Sequence, residues 1–174
     1  MQTTKLIIKE DCYSPIKIKA NTLPLYLKSL IDLELKWQEH FGFECIEIDK
    51  IWIQQEPALK AINSIHKIFR LGLLKIQAES MYDWHVDSIR QSCLNMLISE
   101  NHNSITLFGS QRDYVNKDIL QLQYQPNTYY LFNNQIEHCV INIDVTRYLF
   151  SLYFEQEISY SKLKAMLQKH NVVD

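Results

Sequence analysis

From residue 73 to residue 154 the chain is a succession of short alternating segments, and that periodicity restricts the fold more than any other feature of the sequence. In residues 119–125, Leu120, Leu122 and Tyr124 alternate with Gln121, Gln123 and Gln125. Side chains two apart share one face of a strand, so this segment reads as an antiparallel strand with one wet face. Similar strands are expected at 73–79, 90–99, 104–108, 138–143 and 147–154, with another at 128–132 after a Pro126-Asn127 turn. Short strands at such regular spacing pack as a sandwich or a barrel.

The first 72 residues carry a different pattern. A short strand is expected at 15–19. Asn21 or Thr22 can cap a helix with Pro24 in its first turn, a stripe at Tyr26, Leu30, Leu33 and Trp37, and a stop at Gly42. A strand is expected over 44–53. A second helix opens at Pro57, carries Ala58, Ala61, Ile62, Ile65, Ile68 and Phe69 on one face, and ends at Gly72. A short amphipathic helix with Leu163, Met166 and Leu167, capped by Ser159 or Ser161, closes the chain. The whole reads as mainly β, with helices flanking one outer face. No repeat and no Pro/Gly/Ser linker divides it, so one domain is expected over 1–174.

Composition narrows the function. Apolar residues make up 47%, enough for a sizeable core. The 18 Lys and Arg against 20 Asp and Glu lack the basic excess of a nucleic-acid binder. No apolar run is long enough to span a membrane, and the N-terminal stretch has no signal-peptide core. Cys12, Cys45, Cys93 and Cys139 are widely spaced, and read as reduced thiols of a cytoplasmic protein. Only 3 glycines are present, and no phosphate-binding glycine loop is among them.

The chemistry sits in Met81-Tyr82-Asp83-Trp84-His85-Val86-Asp87. In an extended strand His85 and Asp87 point the same way. Together they are two members of the two-His, one-carboxylate set that holds non-haem Fe(II) with open positions. On the same reasoning Tyr82 and Trp84 belong to the opposite face. His138 follows three expected strands later, and Arg147 opens the last strong strand, sharing a face with Leu149, Ser151 and Tyr153. An arginine pointing into an apolar interior needs a carboxylate partner, which a dicarboxylate ligand supplies through paired hydrogen bonds. Other histidines fit this pattern less well. His102 sits in a polar run that reads as an exposed turn, His66 at a helix boundary, and His40 and His170 at helix ends. Arg90 reads as solvated. Cys139 should face away from His138, and one of Tyr129 and Tyr130 should face inward.

These residues resemble the Fe(II)- and 2-oxoglutarate-dependent oxygenases over about residues 73–154. The pattern is His85-x-Asp87, a distal His138 after the stretch from Pro126 through Phe132 to Asn133, and then Arg147. His85, Asp87, Arg90 and Asn95 together look most like small prolyl-hydroxylase-like or aspartyl/asparaginyl-hydroxylase-like members. The resemblance implies a double-stranded β-helix (a cupin-like jelly roll) over 73–154, supported by 1–72 and closed by a helix in 155–174. It implies Fe(II) on His85, Asp87 and His138, 2-oxoglutarate on Arg147 with Asn95 and Ser151 nearby, O₂ as oxidant and ascorbate as a reductant. The implied reaction hydroxylates an amino-acid side chain, free or in a peptide or protein, and decarboxylates 2-oxoglutarate to succinate. One departure stands out: many members carry Ser or Thr two residues after the arginine, where this chain has Leu149. Two alternatives follow, a cupin-like binding protein without turnover and a metal enzyme that does not use 2-oxoglutarate.

Overall fold

The computed structural model describes residues 7–40, 42–99, 103–110 and 117–174. The chain opens with α1 (Lys9–Cys12), β1 (Tyr13–Pro15), α2 (Leu23–Ile31), β2 (Gln38–His40) and β3 (Phe43–Ile48). Next come α3 (Trp52–Gln55), α4 (Pro57–Ile65), β4 (Ile68–Ile76), β5 (Ser80–His85), β6 (Ser92–Leu97) and β7 (Ser104–Gly109). The remainder is β8 (Ile119–Leu122), β9 (Tyr130–Asn133), β10 (Glu137–Asn142), β11 (Arg147–Phe154) and α5 (Tyr160–Lys169). None of the described helices is long and apolar enough to cross a membrane.

Two antiparallel sheets result. The larger runs β1-β9-β6-β11-β4-β3-β2 and the smaller β5-β10-β7-β8. Chain neighbours repeatedly fall in opposite sheets, as in a jelly roll. Strand parity divides β4, β6, β9 and β11 of the larger sheet between the helix-side core and the space between the sheets. In β11, Phe150 and Leu152 join Leu71, Leu73, Leu94 and Met96 in the core under the helices. Arg147, Leu149 and Ser151 point the other way, into the space between the sheets. A second, smaller core of Tyr13, Cys93, Phe108, Tyr130 and Phe132 closes one part of that space.

The strands expected from residue 90 onward are present, while the N-terminal elements differ in extent. The first long helix stops at Ile31, not near Gly42, and the expected strand at 44–53 ends at Ile48 and gives way to α3. The helix from Pro57 stops at Ile65, and Ile68 and Phe69 already belong to β4. Their apolar spacing suits either period, but Gly72 fits within a strand paired on both sides, opposite Glu47 and Ser151. The larger sheet therefore draws β1, β2, β3 and part of β4 from residues before 73. The strand expected at 15–19 is instead β1, at Tyr13–Pro15.

Candidate metal centre

β5 and β10 lie side by side in the smaller sheet, with His85 opposite His138. Their pairing is irregular: Val140, two residues after His138, stands opposite Tyr82, three residues before His85. The extra residue in β5 is a bulge, and a bulge re-aims side chains. It turns Tyr82 to the same side as His85, and their rings meet edge to face at 4.3 Å. The expectation that Tyr82 faces away from His85 therefore fails, because regular alternation does not survive the bulge.

Asp87 lies beyond the end of β5. Its backbone N–H donates to the Asn134 carbonyl at 3.1 Å, which fastens the loop after β5 to the turn before β10. The Gln135 side-chain amide donates to the carbonyls of Asp87 and Arg90, each at 3.0 Å. Asp87 Oδ1 then sits 3.4 Å from His85 Nε2 and 3.7 Å from His138 Nε2. One ligand atom from each of the three residues falls within 4.8 Å of the others. Neighbouring donors at about 2.1 Å from one ion are about 3 Å apart, so a small inward adjustment completes a three-ligand face.

The ring orientations suit that role. His85 Nδ1 donates to the Asp83 carbonyl at 2.7 Å, and His138 Nδ1 to the Ile136 carbonyl at 2.8 Å. A carbonyl only accepts, so each Nδ1 carries a ring proton, and each ring in its neutral form offers its Nε2 lone pair inward. Burial, with the nearby His85 charge, brings His138 down to about 4, so it is neutral at physiological pH. Burial also lowers His85, but the Asp87 hydrogen bond and the Asp83 carbonyl outweigh it and leave this ring above its ordinary value. Burial would raise Asp87, yet His85 and Arg90 overcome it and hold the carboxyl at about 2. Two imidazoles and one ionised carboxylate with open space in front fit the donor set of non-haem Fe(II).

Arg147 lies in the same pocket and is only 1% exposed. Its Nη1 donates to Ser104 Oγ at 2.6 Å and its Nη2 to Thr106 Oγ1 at 3.0 Å, and its guanidinium lies over the Tyr124 ring at 5.3 Å. Its Nε is buried without a hydrogen-bond partner. Among the described residues no carboxylate pairs with it, and burial lowers its pKa. Asn95 and Ser151 face each other across β6 and β11, and both line the pocket.

Other candidates fall elsewhere. Neither Tyr129 nor Tyr130 lines the pocket: Tyr129 is in the helix-side core, and Tyr130 Oη accepts from the Gln125 N–H at 3.0 Å. The tyrosines that do line it are Tyr82 and Tyr124. Arg90 is not solvated: it is ion-paired to Asp87 at 2.8 Å and stacks on Tyr153 at 4.6 Å. The spacing Asp87-x-x-Arg90 was the available signal. Cys139 is fully buried and absent from the pocket wall. His66 Nε2 bonds the Gln156 carbonyl at 2.8 Å, His170 ends α5, and His40 lies on strand β2 rather than at a helix end. His102 lies outside the described residues.

No protein-family model matches the sequence, and no curated protein matches it. Solved structures do resemble the fold. A prolyl-4-hydroxylase from Pseudomonas putida superposes with a TM-score of 0.59 at 13% identity, over 85% of this chain and 94% of that one. A prolyl hydroxylase from Trichoplax adhaerens, in complex with a hypoxia inducible factor peptide fragment, gives 0.57 at 12% identity, over 90% and 87%. The non-haem α-ketoglutarate-dependent epimerase SnoN of nogalamycin biosynthesis gives 0.58 at 10% identity, over 83% and 77%. The chain thus shares the double-stranded β-helix (jelly-roll) fold of these proteins.

Proposed function

We propose that this chain is an Fe(II)- and 2-oxoglutarate-dependent dioxygenase that hydroxylates an amino-acid side chain, free or in a peptide or protein. The observation that carries the reading is one pocket holding both a His85-Asp87-His138 donor face and the buried guanidinium of Arg147, which no carboxylate among the described residues pairs. A buried charge without a counter-charge is costly, and a dicarboxylate co-substrate supplies the missing partner. Bound iron with 2-oxoglutarate and O₂ supplies the oxidising power for C–H hydroxylation, with succinate and CO₂ as co-products.

The protein's own residues do the rest. His85, Asp87 and His138 hold the metal from one side and leave the other side open. Arg147, with Ser104, Thr106 and Tyr124, anchors the far carboxylate of the co-substrate and so fixes which end faces the metal. Leu74, Ile76, Val140 and Leu149 make the walls apolar and exclude water. The substrate class is drawn from the prolyl hydroxylases among the similar folds, and fold alone does not fix a reaction; SnoN, an epimerase, has the same fold. A second reading is a metal enzyme that does not use 2-oxoglutarate; Leu149, where many oxygenases carry Ser or Thr, gives weight to a third, a binding protein without turnover.

The test is direct. Purified protein with Fe(II), ascorbate and 2-oxoglutarate should release succinate slowly without added substrate, and a substrate screen by mass spectrometry should show gain of one oxygen atom that depends on 2-oxoglutarate. Metal binding without succinate would select the second reading. Failure to bind metal would leave a binding protein on the same fold.

A further inference from the structure

The two oxygens of Asp87 have different surroundings. Oδ1 faces the two Nε2 atoms. Oδ2 accepts two hydrogen bonds, from Arg90 Nε at 2.9 Å and Asn134 Nδ2 at 2.7 Å, and is ion-paired to Arg90 Nη2 at 2.8 Å. Arg90 is itself held. Its Nη1 donates to Ser151 Oγ at 3.1 Å, its guanidinium plane lies over the Tyr153 ring, and its side chain is 16% exposed. Asn134 is fixed through its backbone, which accepts from the Asp87 N–H and donates to the Gln91 carbonyl at 3.2 Å.

A carboxylate can bind a metal through one oxygen or two. Charge-assisted hydrogen bonds to one oxygen are strong and directional, and the two on Oδ2, with the guanidinium charge beside them, occupy the lone pairs that a second metal bond would need. We infer that Arg90, assisted by Asn134, is a positioning residue that makes Asp87 a one-oxygen ligand and so keeps free the coordination position a two-oxygen carboxylate would occupy. The position matters because a chelating co-substrate and O₂ together need three. Arg90 also links the metal carboxylate to Ser151 and Tyr153 on β11, the strand that carries Arg147. The inference rests on the reading of His85, Asp87 and His138 as the metal centre.

The experiment uses Mn(II) alone as probe, with no co-substrate and no turnover. Affinity is read from the electron-spin signal of free Mn(II), and open positions from water-proton relaxation per bound ion. For the wild type, three open positions carry exchangeable water. Arg90→Met should lower the relaxation per bound ion by about one third, as three waters become two, and weaken Mn(II) binding about 10–100-fold. Arg90→Lys, which returns one donor and the charge, should recover most of both. Asn134→Ala should move both in the same direction by less, and it carries the test if Arg90→Met does not fold. Unchanged relaxation per bound ion in a folded Arg90→Met or Asn134→Ala protein would overturn the inference. His138→Ala separates the two failures: if it binds Mn(II) as the wild type does, the metal centre itself is misplaced.

Discussion

At the scale of single residues, burial and charge decide more than residue type. Arg147 carries a charge in a nearly closed space with two hydroxyl partners and, among the described residues, no anion. Such a group lowers stability in the absence of its ligand, and replacement by an apolar side chain of similar size is often neutral or stabilising. Arg147→Met should therefore leave the thermal midpoint of the ligand-free protein unchanged or raised. It should weaken 2-oxoglutarate binding at least about 30-fold, since loss of one partner of a buried charge pair costs about 2–5 kcal/mol. Mn(II) affinity should stay within about twofold, because Arg147 bonds Ser104 and Thr106 rather than the donor face. Calorimetric titration of each ligand checks the split; equal losses for both would make Arg147 a structural residue. The cysteines give a pH dependence. Burial raises Cys93 and Cys139 to about 11 and Cys12 to about 12. A raised thiol pKa means less thiolate at any lower pH, and the thiolate is what reacts. Alkylation of these thiols in the folded protein should be slow at pH 8 and accelerate about tenfold per pH unit toward pH 10, with the half-buried Cys45 modified first. Fast labelling of Cys93 at pH 8 would contradict this, and mass spectrometry of quenched samples reads it.

At the scale of elements, the features that sequence periodicity misses are those fixed by distant partners. Asn21 and Thr22 look like caps for α2, yet neither side chain caps it. The carboxylate of Glu56, fully buried at the start of α4, accepts from the Asn21 N–H at 2.8 Å and the Leu23 N–H at 3.1 Å. One helix entrance is thus satisfied by a side chain from another, which also suits the positive end of the helix dipole. Glu56→Ala leaves these N–H groups without an acceptor and should cost about 2–5 kcal/mol, read as a lower denaturation midpoint; a loss below about 0.5 kcal/mol would mean water replaces the carboxylate. Gly109 makes a second such point. A Cβ there would stand 2.7 Å from Lys117 Cδ and 2.8 Å from Trp84 Cζ3. Lys117 can move aside, but Trp84 adjoins His85 in β5, so Gly109→Ala should cost about 1–3 kcal/mol and disturb metal binding too. The strands from β6 to β11 were legible because each has one buried face, turned to the helix-side core in β6, β9 and β11 and to the space between the sheets in β7, β8 and β10, and period-two alternation reports that directly. β5 was legible as a strand, but not in its facing, since one extra residue reverses the parity of Tyr82 relative to His85. The Asp87-x-x-Arg90 spacing signals the ion pair but not the burial of Arg90, which depends on Ser151 and Tyr153 of β11, distant in sequence.

At the scale of the whole molecule, the candidate centre lies where the architecture is held by loops. β5 and β10 belong to the smaller sheet, and Asp87 reaches them only through a loop tied to the turn at Asn134 and Gln135. The pocket in front is walled by residues of both sheets, with Asn95 and Leu149 on one side and Thr106 and Val140 on the other. An ion on His85, Asp87 and His138 therefore pins a loop to two strands, and the unfolded chain has no equivalent site. Whatever binds only the folded state stabilises it by mass action, about 2.7 kcal/mol at a hundred times the dissociation constant. For a chain of this length that corresponds to a rise of about 5–10 °C in the thermal midpoint. Mn(II) should give this rise, a chelator should remove it, and His138→Ala should show none. 2-Oxoglutarate added with the metal should raise the midpoint further in the wild type but not in Arg147→Met, because its anchoring charge is gone. An equal Mn(II) shift in His138→Ala would place the ion on other carboxylates. A further shift from 2-oxoglutarate in Arg147→Met would place the dicarboxylate outside the pocket.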